Sequence, residues 1–133
     1  MGAWGTKTFE NDTALDWLAE FESEGADALA DTFQAVTDAD STDDIDADDA
    51  CCALAAAEII AAMKTSDETR LAEEARAALA NYRDDIDLDH NAPLAARAAT
   101  RVKTNSELHD LWEETDDYDD WISDVEALID RLR

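Results

Sequence analysis

After Gly25 the chain contains no glycine, and Pro93 is its only proline. The two remaining glycines, Gly2 and Gly5, stand at the start. Antiparallel sheets fold back through tight turns, and those turns draw on residues that tolerate left-handed or fixed backbone angles. A chain of 133 residues with so little punctuation has almost no means of building hairpins. Alternating apolar–polar runs are missing as well. Apolar residues recur instead at helical spacing. The sequence therefore predicts an all-α fold, a compact single-domain bundle of about six to seven short helices spanning the whole chain.

The helices are bounded by caps and breaks. Asn11 or Asp12 caps a first helix running to about Glu24, with Ala14, Trp17, Leu18 and Phe21 on one face. Gly25 breaks it, and a second helix reaches about Val36. The third ends near Lys64 and is apolar nearly all round, which marks it as the central, most buried element. Ser66 or Asp67 caps a fourth, with Leu71, Ala75, Leu79 and Tyr82 in line. Pro93 fits the first turn of a fifth. Asn105 or Ser106 starts a sixth with Leu108, Leu111 and Trp112. A last helix carries the stripe Tyr118, Trp121, Ile122, Val125, Leu128, Ile129 and Leu132. Much of the apolar share is alanine, so the helices should lie close together around a thin core.

Charge is the other constraint. The 35 acidic residues outweigh 10 basic ones, for a formal net charge of -25. A folded surface scaled from the mass gives one net charge per ~280 Å², a spacing of roughly two Debye lengths at physiological salt. Nucleic acid and anionic membranes are disfavoured as partners. Asp outnumbers Glu by 23 to 12 and Arg outnumbers Lys by 7 to 3. Asp is the poorer helix former, so helix propensity does not explain its excess. Such a surface suits a high-salt cytoplasm, and ordinary acidic solubility is the other reading. The acids concentrate at Asp38–Asp49 and Glu113–Asp120. Cys51 and Cys52 are adjacent, a poor framework for a disulfide or a zinc site, which points to packing in a reducing, cytoplasmic compartment. No apolar stretch reaches membrane-spanning length, and no signal peptide is expected.

The opening residues run Gly-Ala-Trp-Gly from Gly2 to Gly5, then Phe9, Asn11, Asp12, Asp16 and Trp17. This pattern resembles a family of small prokaryotic proteins catalogued as a domain of unknown function. Two further stretches are similar to it, Ala55–Ala62 around Glu58 and Asn105–Glu113 ending in Leu-Trp-Glu at Trp112. Lys7 and Thr8 depart from the pattern, a change expected to alter the turn and not the fold. The resemblance brings a family and no activity. Read physically, Gly2 and Gly5 let the backbone turn on either side of Trp4, and Phe9 precedes the cap and can staple onto the first helix. The expectation is an N-terminal arm over 1–11 that folds back and plugs a groove with Trp4. A binding surface built around the arm is the functional counterpart. Gly2 and Thr6 also match an acylation pattern, but the acidic surface lacks the basic patch that would hold one acyl chain at a membrane.

Little assembled chemistry is visible. Dinucleotide and phosphate-loop glycine motifs are excluded, and the two histidines, His90 and His109, form no zinc or di-iron motif. Asp85, Asp87 and Asp89 alternate like the start of a calcium loop but lack its glycine and distal glutamate. No metal or cofactor is expected. Glu58 stands out as a carboxylate inside the apolar third helix, where it needs a partner. Arg97 and Arg101 are the expected ones. The pair is either a structural link fixing helix register or a functional acid/base. Function then divides into two classes. The first is a non-enzymatic acidic protein-binding module, immunity- or inhibitor-like, with a basic protein partner. The second is an enzyme with a carboxylate site around Glu58. The chain is expected to be a monomer or weak homodimer.

Overall fold

The computed structural model describes residues 8–40 and 44–133. It contains α1 (Asp12–Glu24), α2 (Ala26–Thr37), α3 (Ala47–Thr65), α4 (Glu73–Tyr82), α5 (Leu88–Thr104), α6 (Glu107–Glu113) and α7 (Tyr118–Leu132). A 3-10 turn, Arg83–Asp85, joins α4 to α5, and no strand occurs among the described residues. The protein is an all-α bundle. The expected plugging by Trp4 lies outside the described residues.

α3 is the axis. From Ala50 to Ala62 every residue but Cys52 is buried. The helix packs against α1, α2, α5, α6 and α7. Its small side chains let those neighbours approach closely, as an alanine-rich central helix requires. Asp46 caps it by accepting from the Asp49 N–H at 2.8 Å. A two-way link then ties its start to α6: the Ala47 N–H donates to the Glu107 carboxylate at 2.9 Å, and the Glu107 N–H donates to the Ile45 carbonyl at 2.8 Å. Both helix N-termini thus gain acceptors for orphan donors.

Two expected boundaries differ. α4 starts at Glu73, not near Asp67. Ser66 closes α3 instead, with φ 58°, and the Asp67 N–H returns to the Ala62 carbonyl at 3.2 Å. Glycine normally fills this left-handed position, so a serine there reads from sequence as the start of the next helix. α5 starts at Leu88 under an Asp87 cap, which puts Pro93 inside the helix. Its missing N–H would have met the carbonyl of Asp89, an exposed residue that water can reach.

Gly25 separates α1 from α2 with φ 69°. A Cβ here would lie 2.8 Å from the Tyr82 ring. Tyr82 tilts onto Phe21 and donates its hydroxyl to the Glu22 carbonyl at 2.6 Å. Glycine is therefore required twice, for the backbone angle and for the ring that seals the corner.

Candidate functional site

Glu58 sits mid-way along α3 and is 1 % exposed. Its Oε1 accepts from the Thr8 hydroxyl at 3.0 Å and from Arg70 Nη2 at 3.1 Å. Its Oε2 accepts from Arg131 Nη2 at 2.9 Å. Arg70 Nη2 also donates to Asp124 Oδ1 at 2.6 Å. Two guanidinium groups and two carboxylates, drawn from α3, the α3–α4 turn and α7, form one neutral cluster that Thr8 covers. Burial works against the Arg70 charge, but Glu58 and Asp124 outweigh it and push the guanidinium above its ordinary value. Asp67 stands nearby and is held low by the Thr69 N–H and hydroxyl, helped by Arg131 and Arg70.

The partners expected for Glu58 are not the ones it has. Arg97 is exposed on α5. Arg101 donates to the Asn105, Ala39 and Asp40 carbonyls and so pins the end of α2 to α5. Arg70 precedes the true start of α4, and Asp124 and Arg131 lie on α7 outside its expected apolar stripe. A signal was present: Asp124, Leu128 and Arg131 follow the buried Trp121 at helical spacing, so both charges fall near the core phase.

The other motif residues have structural employment. Asn11 caps α1 by accepting from the Ala14 N–H at 2.8 Å, and its amide donates to the Thr8 carbonyl at 3.0 Å. Phe9 is buried beside this turn. Asp12 and Asp16 are exposed on α1. Trp17 is buried, stacks on Phe21 at 5.5 Å between centroids, and donates its indole N–H to Thr32 at 2.9 Å. Trp112 is buried and stacks on Trp121. Thr8, expected only to alter the turn, joins this segment to Glu58.

Chemistry elsewhere is muted. Burial, then Asp48, pushes the Cys51 thiol up to about 12. Burial, then Cys51 and nearby acids, pushes Cys52 up to about 12. Both stay protonated at neutral pH and are poor nucleophiles. The Asp85–Asp89 run is no loop, because Asp87 caps α5 and Asp89 lies in its first turn. No group of three or more candidate ligands able to hold a metal ion occurs among the described residues. His109 bridges Asp110 and the Tyr118 hydroxyl, each at 3.0 Å, and links α6 to α7. No helix of the described residues is long and apolar enough to cross a membrane.

A general acid or base must meet a reactant. The Glu58 carboxylate instead has both oxygens occupied by three donor residues and is closed to solvent. The arrangement can hold three segments in register.

A family model described as Domain of unknown function (DUF4259) matches residues 2–124, and the chain belongs to that family. Neither the curated proteins nor the solved structures contain a match.

Proposed function

We propose, starting from membership of that family, that the protein is a non-enzymatic acidic binding module, immunity- or inhibitor-like in kind, for a basic protein partner. One observation carries the reading. Glu113, Glu114, Asp116, Asp117, Asp119 and Asp120 are all exposed at the α6–α7 turn, with no lysine or arginine among residues 113–120. Such a run steers a basic surface by long-range attraction and leaves its carboxylates available for contact. The competing reading, an enzyme centred on Glu58, draws no support from a carboxylate whose acceptors are taken. The Asp excess also fits a high-salt cytoplasm, where screening relieves self-repulsion.

Capture from the native cytoplasm tests the proposal. The wild type should retain a stoichiometric basic protein. The variant combining Asp116→Asn, Asp117→Asn, Asp119→Asn and Asp120→Asn should lose it while keeping its helical circular dichroism. Retention of the same partner by that variant would defeat the reading.

A further inference from the structure

α4 is the least embedded helix of the bundle. It packs chiefly on α1 and on the 3-10 turn that follows it, whereas α3 meets five other helices. Its buried face is Ala75, Ala78 and Leu79, and no side chain caps its N-terminus at Ala72. Ten residues are too few to hold a helix in water without packing. The borders of this region are firm by comparison. On one side Glu58 and Asp124 hold Arg70. On the other, the Asp87 side chain accepts from the His90 N–H at 3.2 Å, and its carbonyl accepts from the Asn91 N–H and side-chain amide at 3.0 and 2.8 Å. Between these anchors, closure rests on Leu71, the inner face of α4, Ile86 and Tyr82. The Tyr82 ring covers Phe21 and sits against the bare side of Gly25, and its hydroxyl is bonded to the Glu22 carbonyl. The Arg83–Glu68 pair is largely exposed and adds little.

We propose that residues 71–86 form a hinged flap that opens as one unit, α4 leaving α1 while the other six helices stay packed. Tyr82 is the latch. Its departure uncovers Phe21, which is fully buried in the closed state and stacks on Trp17. Opening gives up a small apolar face and the Tyr82 hydrogen bond. Global unfolding gives up the alanine-rich axis and the ion cluster as well. The flap therefore opens far more often than the bundle unfolds. This device is independent of the acidic turn and of any partner bound there.

Native-state hydrogen exchange on the full chain, corrected for intrinsic rates, tests this. In wild type, amides 76–82 should exchange at least about a hundred-fold faster than amides 53–62 of α3. Val102→Ala weakens packing within α5, a helix that stays docked when the flap opens. It should speed exchange in α3 about ten-fold and leave amides 76–82 within about two-fold. Ile59→Val, a milder change in α3, should show the same split with a smaller factor. Tyr82→Ala breaks the latch, so amides 76–82 should exchange about ten-fold faster. Equal exchange in α4 and α3, or equal acceleration of both by the core variants, would mean that α4 opens only with the whole bundle and would overturn the proposal. Fast exchange confined to the ends of 76–82, with the middle as slow as α3, would mean simple fraying and would overturn it too.

Discussion

Arg131 and Glu58 are 73 residues apart in the chain and 2.9 Å apart in the fold. The last helix thereby reaches the middle of the central one through a charge pair whose acid is 1 % exposed. Removing one side of such a pair leaves the other buried without compensation. Glu58→Gln should therefore destabilise the protein by about 3–5 kcal/mol in urea unfolding. Replacing Glu58, Arg70, Arg131 and Asp124 together by apolar residues of similar volume should recover much of that loss. An E58Q protein as stable as wild type would show that the cluster contributes nothing.

Gly25 meets Tyr82. Gly25→Ala combines an unfavourable backbone angle with a clash at 2.8 Å, and the cost should be about 1–3 kcal/mol. A thermal midpoint within experimental error of wild type would contradict it. Tyr82→Phe keeps the ring and loses one hydrogen bond, so its effect should be the smaller of the two.

The thiols make stability depend on alkaline pH. Cys51 and Cys52 are raised from 9.0 to about 12 by burial, helped by nearby acids. The folded state holds these protons more tightly than the unfolded chain. Their contribution is complete below pH 9 and falls as pH rises from 9 toward 12. Cys51→Ala with Cys52→Ala should flatten the stability profile over that window. An identical slope in wild type and variant would refute the assignment. Native protein should also react with iodoacetamide far more slowly than unfolded protein at neutral pH.

Self-repulsion should appear as salt dependence. With net charge -25 on 6720 Å² of accessible surface, the folded state gains from screening. The thermal midpoint should climb as potassium chloride rises from low concentration into the molar range. A flat response would mean that the carboxylates lie too far apart to repel one another.

Fold class was legible because it rested on absences and periods that no tertiary contact can reverse. Missing glycines ruled out hairpins, and the uninterrupted apolar surface of α3 identified the axis. The boundaries that failed did so where an uncommon residue filled a common role: Ser66 in a left-handed cap, and Pro93 inside α5 instead of at its first turn. The candidate site was half legible. Glu58 announced itself as a charge among alanines and isoleucines, since a lone buried carboxylate is locally inconsistent. Its partners did not, because they come from a turn and from the far end of the chain. Arg97 and Arg101 are nearer to Glu58 in sequence than Arg131 is, yet α5 presents Arg97 to solvent and turns Arg101 toward the end of α2.

The cluster around Glu58 also bears on time. Its links span 12, 50, 54 and 73 residues, so it closes only after α3, the α3–α4 turn and α7 have docked. Contacts of that separation carry the largest loop-closure cost and form late. Weakening them should leave the refolding rate nearly unchanged and speed unfolding, a split that stopped-flow measurements on Arg131→Met would read directly. What the ion cluster sets is the lifetime of the closed bundle more than the ease of reaching it.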